Sequence, residues 1–323
     1  MRRNDHDVTN RIRTTDAEAV GAEVLRIYRR LYDRGAVGGA ARAIGRAFSD
    51  LERIYRGEDP RFHPCDTAYH DLQHVLDVTL AMARLLDGYE RSRKGAPALS
   101  PAHFALGVLC ALYHDFGYLR RRADRRHRFG AEYTLVHVGR GARYLRQEAA
   151  RLGLGRFARA AATLLHYTGY ERPADRIRLA DPLLRRIGQM LGSADILAQM
   201  SDRCYLEKCR DRLYPEFVLG GLARRRLPGG REQVIYRSGE DLVRKTPDFY
   251  LGAARRLDFE LARAYVYAER HFGGQNLYLE EMQKNVRYAR LLSQAKRGGL
   301  LRRKPPSTLA PGVQPCPDGL LRG

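Results

Sequence analysis

Apolar residues recur at spacings of three and four along most of the chain, and this periodicity restricts the fold more than any other feature. Val20, Val24 and Ile27, for example, form one stripe if their segment is helical. Thr15 to Glu18 has the form of a capping box directly before that stripe. Alternating strand and helix patterns are missing, and so are internal repeats. The sequence therefore predicts an all-α fold.

Caps, prolines and glycines divide the periodic segments into successive helices. Ser100 with Pro101, and Asp181 with Pro182, each place a capping side chain before a proline in the first helical turn. We predict helices near residues 16–33, 44–55, 67–86, 101–116, 130–149, 156–167, 182–213, 254–271 and 276–295. Residues 220–245 are expected to form a loop with a short hairpin at 233–236.

The 323 residues are enough for one large domain or two modest ones. We expect a flexible N-terminus over residues 1–15, a single helical domain over 16–295 and a disordered basic tail over 296–323. The longest apolar stretch is too short to span a membrane, and the first ten residues do not resemble a signal peptide. We therefore expect a cytoplasmic protein without a membrane partner.

Composition narrows the functional classes. The formal net charge of +21 is typical of proteins that bind nucleic acid. Only six of the 58 basic residues are lysines, however, so compositional bias is the better explanation and nucleic acid is a less favoured partner. Five scattered cysteines without a C-x-x-C pair favour reduced thiols. The sequence also lacks a P-loop, a dinucleotide fingerprint and a serine nucleophile elbow.

Histidine and aspartate residues recur at positions where several predicted helices could bring metal ligands together. His70 and His74 are four residues apart, so on one helix both imidazoles would share a face. His114 and Asp115 end an apolar helix, where burying them without a partner would be costly. Three more candidates lie on later predicted helices: His137, His166 and Asp195. Each alone has an ordinary structural explanation, but imidazoles and carboxylates together suit iron, manganese, zinc or nickel.

The order of these residues resembles the HD superfamily of metal-dependent phosphohydrolases. That signature is a histidine, an adjacent histidine and aspartate, and a distant aspartate, all on helices; here they would be His74, His114 with Asp115, and Asp195. The resemblance spans residues 60–215 and implies an HD-type, phosphodiesterase-like helical bundle. It also implies one or two divalent transition-metal ions, iron, manganese, zinc or nickel, with magnesium as a further option. The implied reaction is attack of a metal-bound hydroxide on a phosphoester, with Asp115 in the catalytic centre.

A narrower resemblance concerns the segment YHDLQHVLDV, which is similar to the Y-H-N-x-x-H-x-x-D-V segment of cyclic nucleotide phosphodiesterases. It implies that His70 is the general acid and His74 a metal ligand, with Asp71 or Asp77 available to orient His70. Asp71 replaces the asparagine of that segment. Tyr118 stands where those enzymes have a further histidine.

Another narrower resemblance is to binuclear members of the superfamily, including the HD-GYP phosphodiesterases. His137 and His166 follow the histidine and aspartate pair in the order of their additional ligands, which implies a second metal ion. The doubled histidine and the GYP tripeptide of HD-GYP proteins are missing, so the chain is not assigned to them. Four residues near the candidate ligands are predicted to contact substrate, with a solvated surface or ordinary helix packing as the alternative: Arg120, Arg121, Arg140 and Gln199.

The leading hypothesis is a metal-dependent phosphohydrolase, specifically a phosphodiesterase acting on a nucleotide or a small phosphoester. Two alternatives stay open. One is an oxygenase of the same fold that holds two iron ions, and the other is a non-enzymatic nucleic-acid-binding or regulatory protein built on the same scaffold.

Overall fold

The computed structural model describes residues 1–32, 38–227, 229–294 and 300–315. Most of these residues are helical, so the prediction of an all-α fold is confirmed. The α-helices are α1 (Ala17–Tyr32), α2 (Gly39–Tyr55), α3 (Leu72–Ser92), α4 (Pro101–Tyr113), α5 (His137–Glu148), α6 (Ala158–Leu165), α7 (Pro182–Ser201), α8 (Tyr205–Lys208), α9 (Tyr214–Leu219), α10 (Gly239–Arg244), α11 (Thr246–Arg255), α12 (Tyr267–Phe272) and α13 (Leu277–Gln294). One antiparallel hairpin, β1 (Arg224–Arg226) and β2 (Glu232–Val234), is the sheet within the described residues.

Shorter helical turns link or extend several of these helices. Turns of the 3-10 type are Phe116–Tyr118, Gly130–Tyr133, Gly155–Phe157, Ala174–Arg176 and Ala264–Val266. Turns of the π type are Cys209–Leu213 and Arg256–Glu260. The continuous helices predicted over 130–149, 182–213 and 254–271 are therefore interrupted, both by 3-10 or π turns and by short non-helical segments at 134–136, 202–204 and 261–263.

Helices α3 and α4 form the centre of the core. Every residue of α4 from Phe104 to Tyr113 is buried, as its apolar run predicts. Helix α3 packs against α4, α7 and α12 and is buried along most of its length, although it carries polar side chains. Those polar groups need partners inside the protein, because burying them unpaired is costly. In the described part of the chain, no helix combines the length and hydropathy of a membrane span.

The third helix begins at Leu72, five residues later than predicted. Asp71 caps it, and its carboxylate accepts a hydrogen bond from the backbone N–H of His74 at 3.0 Å. Aspartate is a strong N-cap because it satisfies backbone donors that have no partner within the helix. His70 consequently precedes the helix, and the prediction that His70 and His74 share one helical face is wrong.

The predicted helix over 182–213 ends early, at Ser201, because Asp202 turns the chain. Its carboxylate accepts hydrogen bonds from the backbone of Cys204 at 2.6 Å and from the Lys208 ammonium at 2.5 Å. A short hairpin does form within the predicted 220–245 loop, but only its second strand, β2, overlaps residues 233–236. It pairs Arg224 with Val234, and α10 follows it.

The N-terminal segment, which we expected to be flexible, packs against the core. Asp7 pairs with Arg84 of α3, and both side chains are almost completely buried. Arg2 donates a hydrogen bond to the Ser201 carbonyl at 2.6 Å. Moving the segment away would leave the Arg84 guanidinium buried without its counter-ion, which is costly. The ion pair therefore holds the N-terminal segment against the core.

Part of the C-terminal tail also has defined contacts, in a region that we expected to be disordered. Arg212 donates hydrogen bonds to the carbonyls of Pro305 and Pro306 at 2.9 and 2.8 Å. Leu301 and Leu309 pack against the apolar core. The remainder of the predicted tail, 296–299 and 316–323, lies outside the described residues.

Candidate metal centre

Four residues of the predicted signature meet between α3, the end of α4, and α7. His74 Nε2 lies 3.3 Å from Asp115 Oδ2 and 3.5 Å from Asp195 Oδ1. His114 Nε2 lies 3.2 Å from the same Asp115 oxygen and 3.3 Å from His74 Nε2. Ligand atoms of His74, His114 and Asp115 all fall within 4.8 Å of one another, so this cluster could hold a metal ion. The convergence of these far-separated residues agrees with the sequence prediction.

The cluster is buried, and one of its oxygens has no hydrogen-bond partner. The exposed fractions are 7% for His74, 1% for His114 and 3% for Asp115. Asp115 Oδ2 makes no hydrogen bond with the described residues, although two imidazole nitrogens lie close to it. Without positive charge beside it, a buried carboxylate oxygen that accepts no hydrogen bond costs about 3 kcal/mol. A cation placed among these atoms would remove that cost, so the donor set fits a divalent metal.

Backbone carbonyls determine which nitrogen two of the histidines present to Asp115. His114 Nδ1 lies 2.8 Å from the Ala111 carbonyl, and His137 Nδ1 lies 2.6 Å from the Thr134 carbonyl. A carbonyl only accepts hydrogen bonds, so each Nδ1 carries the proton and donates it. In the neutral ring Nε2 then has the free lone pair. This is the usual arrangement of a metal-binding histidine, in which the second nitrogen is held by an outer partner.

The charges of the cluster support the same conclusion. Burial alone would lower the pKa of His74, but its contacts with Asp115 and Asp195 raise that pKa to about 10. Against the effect of burial, Asp115 also raises the pKa of His114, while both imidazoles hold the pKa of Asp115 well below its usual range. The Asp115 carboxylate therefore requires positive charge beside it. Protons supply it in the metal-free protein, and a bound cation would displace them.

His137 approaches the other oxygen of Asp115. Its Nε2 lies 3.6 Å from Asp115 Oδ1, so the two oxygens of this carboxylate face different imidazoles. Gly117 permits the approach of α5, because a Cβ there would lie 1.8 Å from the His137 carbonyl oxygen. Asp115 thus presents one oxygen to His74 and His114 and the other to His137.

His166 lines the same cavity, but its hydrogen bond is to a residue outside the cluster of His74, His114, Asp115 and Asp195. Its Nδ1 lies 2.8 Å from Glu171 Oε1, a partner that sequence reasoning missed. That contact leaves Nε2 available, as in His114 and His137. The structure therefore places His166 beside the predicted centre, without bringing it into contact with Asp115.

His70 lies next to the cluster and is held by a carboxylate from a distant part of the chain. Its Nδ1 donates to Glu216 Oε2 at 2.6 Å, and Glu216 Oε1 accepts from the Tyr69 backbone at 2.7 Å. The exposed fraction of Glu216 is 1%. Asp71 caps α3 instead of orienting His70. Nothing in the local sequence pattern indicates Glu216, because the contact joins segments far apart in the chain.

The four predicted substrate-binding residues divide into two groups. Arg140 and Gln199 line a cavity of about 1060 Å³ that contains the cluster. Arg120 and Arg121 do not line it. Arg120 pairs with Asp66 at 3.1 Å, and the guanidinium of Arg121 lies over the Phe62 ring beside a separate, smaller cavity. The structure therefore does not support a substrate role for Arg120 or Arg121.

Arg140 and Gln199 are themselves held by the protein. Arg140 donates to the carbonyls of Gly117 and Leu119 at 2.9 and 3.0 Å, which ties α5 to the turn that follows Asp115. Gln199 Oε1 accepts a hydrogen bond from the Tyr69 hydroxyl at 3.2 Å. Both residues therefore shape the cavity as well as border it.

Comparison of the chain with protein-family models, curated proteins and solved structures gives no match. Its function has to be inferred from the residues of this site.

Proposed function

We propose that the protein is a metal-dependent phosphohydrolase of the HD type that cleaves a phosphodiester bond in a nucleotide or small phosphoester. The observation that carries this proposal is the convergence of the buried residues His74, His114 and Asp115 with Asp195, in the chain order that resembles that superfamily. Asp115 Oδ2 accepts no hydrogen bond from the described residues although both imidazoles lie beside it, so a cation would stabilise this atom most.

The same four residues would hold one divalent ion, and Asp115 Oδ1 with His137 would contribute to a second. A bound ion of this kind lowers the pKa of a coordinated water and offsets the negative charge that develops on phosphoryl oxygens. The enclosed position of the cluster strengthens these electrostatic effects, because little bulk water lies beside them.

His70 is the proposed proton donor for the leaving oxygen. It lines the cavity beside the cluster, and Glu216 holds its Nδ1. The proton available to a substrate is therefore the one on Nε2 of the imidazolium form. Protonation of a poor leaving group by a positioned imidazole accelerates such reactions about 10² to 10⁴-fold.

The proposal is tested by metal analysis of the purified protein together with hydrolysis of bis(p-nitrophenyl) phosphate. Asp115→Asn removes the shared carboxylate with little change in size, so both metal content and turnover should fall. Asp211→Asn is the matched control, since Asp211 is an exposed residue paired with neighbouring Arg210. Full turnover in Asp115→Asn with the control unchanged would refute the proposed site.

Two other results would favour the alternative functions. Iron-dependent consumption of dioxygen without phosphate release would indicate a di-iron oxygenase, for which the position of His137 near Asp115 is suitable. Salt-sensitive binding of nucleic acid that persists in His114→Ala, without hydrolysis in the wild type, would indicate a non-enzymatic protein.

A further inference from the structure

The cavity extends well beyond the cluster into an apolar chamber. Its volume of about 1060 Å³ is at the upper end of ligand pockets, which occupy about 300 to 1000 Å³. The chamber lies where the π turn after α8, helices α9 and α10, and the segment after β2 meet. Its apolar lining residues are Leu213, Phe217, Leu222, Ile235 and Leu242. Inorganic phosphate alone would leave this apolar surface in contact with water.

Three arginines that line the cavity have no ion-pair partner among the residues that the structure describes. Arg143 of α5 and Arg225 and Arg226 of β1 are exposed, so they lie at the mouth of the cavity. Within the described residues, none of the three guanidinium groups makes a hydrogen bond or an ion pair. Two neighbouring cations differ in this respect: Arg224 pairs with Glu232 at 3.2 Å, and Lys245 pairs with Asp241 at 3.0 Å.

The carboxylates that line the cavity do not pair with these three arginines, because each has another partner. Asp115 and Asp195 belong to the metal cluster, and Glu171 holds His166. The cavity is therefore lined in its buried part by a cluster that could hold a cation. At its opening it is lined by three arginines whose guanidinium groups have no ion pair within the described residues. Guanidinium groups bind carboxylates, sulfonates and phosphates through charge-assisted, often bidentate hydrogen bonds.

We propose that Arg143, Arg225 and Arg226 form a second anion-binding subsite. The substrate is then a phosphoester whose apolar or aromatic body fills the chamber and carries a second anionic group to the mouth. This inference rests on the proposed function for the reacting phosphoester. The existence of the chamber and the subsite can be tested without any hydrolysis.

The binding test uses anilinonaphthalene sulfonate, an aromatic anion, and its uncharged analogue N-phenylnaphthylamine with the metal-free full-length protein. Both dyes fluoresce more strongly in an apolar environment. The sulfonate should bind more tightly than the analogue, and the double variant Arg225→Glu, Arg226→Glu should weaken sulfonate binding about 10-fold or more, as expected for lost charge-assisted hydrogen bonds. Binding of the analogue should change less than two-fold by the same reasoning.

The double variant Arg125→Glu, Arg126→Glu is the matched control. It changes the net charge equally at two adjacent exposed arginines that do not line the cavity. Equal weakening in both double variants would show that only the overall charge acts. Equal affinity of the wild type for the two dyes would also overturn the subsite. Arg143→Glu, on a different element, should reproduce the selective loss if the subsite is shared between α5 and β1.

A kinetic test then separates this inference from the proposed function. Bis(p-nitrophenyl) phosphate is compared with an analogue in which the retained aryl group carries a carboxylate, so the leaving group is the same. The carboxylated diester should have a lower KM, and the Arg225 and Arg226 double variant should remove that advantage with little change in kcat. No hydrolysis of either diester, with selective sulfonate binding, would refute the proposed function and leave the subsite standing. Hydrolysis of both diesters with equal KM would refute the subsite alone.

Discussion

Glu216→Gln is the most informative single change for the proposed mechanism. The substitution keeps the size of the side chain but replaces the carboxylate oxygen that accepts from His70 Nδ1 at 2.6 Å. Its second oxygen, which accepts from the Tyr69 backbone at 2.7 Å, has an amide counterpart that still accepts a hydrogen bond. The change therefore acts mainly on the orientation of His70.

A hydrogen bond to a charged acceptor contributes about 1.5 to 3 kcal/mol, so kcat should fall about 10- to 150-fold. The loss should be larger for phosphodiesters with poor leaving groups, which depend most on proton donation. Metal content should stay at the wild-type value, because Glu216 makes no contact with the cluster in the described residues. Glu240→Gln, at an exposed position of α10, is the control for loss of a carboxylate.

The double variant decides whether Glu216 acts through His70. If it does, adding Glu216→Gln to His70→Ala should cause almost no further loss, because the group being oriented is already missing. Steady-state kinetics with a series of aryl diesters, together with circular dichroism to verify folding, provides the measurement. Additive losses, or equal slowing of good and poor leaving groups, would refute the positioning role.

Four further predictions follow from other contacts. Asp7→Asn leaves Arg84 buried without its counter-ion, so the free energy of unfolding in urea titrations should fall by about 3 to 5 kcal/mol. Asp50→Asn, the control at an exposed ion pair, should reduce it by less than about 1 kcal/mol. Against the effect of burial, Arg84 lowers the pKa of Asp7. The stabilisation by this ion pair is therefore present above the ordinary aspartate pKa of about 3.9 and should be lost as the pH falls below it. Unfolding curves of the wild type and of Asp7→Asn, measured over a pH series, should converge in acid. Gly117→Ala should displace His137 and reduce bound metal to fewer ions per chain by elemental analysis, and unchanged metal content would contradict the close approach of α5. Removing residues 300–315 should lower the melting temperature, because Arg212 loses two carbonyl acceptors; an unchanged melting temperature would show that these contacts contribute no stability.

The sequence predicts the convergence of His74, His114 and Asp115 because they lie on or next to helices with strong patterns. The apolar run of α4 predicts a buried helix, and His114 and Asp115 at its end must then be buried beside it. The unusual combination of imidazole and carboxylate in apolar surroundings was the signal for a metal. The types of side chain and their positions along the helices were sufficient to predict this convergence, since α3, α4 and α7 pack together along their apolar faces.

Arg120 and Arg121 show why position near a ligand in the chain does not predict position in the site. The segment after Asp115 leaves the cluster through a 3-10 turn and pairs by its backbone with residues 61–63. His63 N–H donates to the Arg120 carbonyl at 2.9 Å. This pairing carries both guanidinium groups away from the cavity. It depends on a loop contact that has no periodic pattern in the sequence.

Glu216 was missed for a different reason, and so was the position of the hairpin arginines beside the cavity. They belong to the segment after α7, which sequence periodicity described as one long helix followed by a loop. Asp202 ends α7 and redirects that segment across the cavity, where it supplies Glu216, the apolar chamber and β1. A side-chain cap and a buried contact with Lys208 therefore decide which residues border the site.

Tyr118 stands where the cyclic nucleotide phosphodiesterase pattern has a histidine, and its ring contacts suggest what the tyrosine does in this chain. Its ring stacks on His70 with a centroid distance of 4.4 Å and on His137 with one of 4.3 Å. The tyrosine therefore packs against both the proposed proton donor and the imidazole that faces Asp115, whose own ring centroids lie 6.4 Å apart. A histidine there would add another ring nitrogen beside both imidazoles, whereas the tyrosine ring supports them by packing. The substitution is thus compatible with a divided site, in which His70 handles the proton and His137 remains available to a cation.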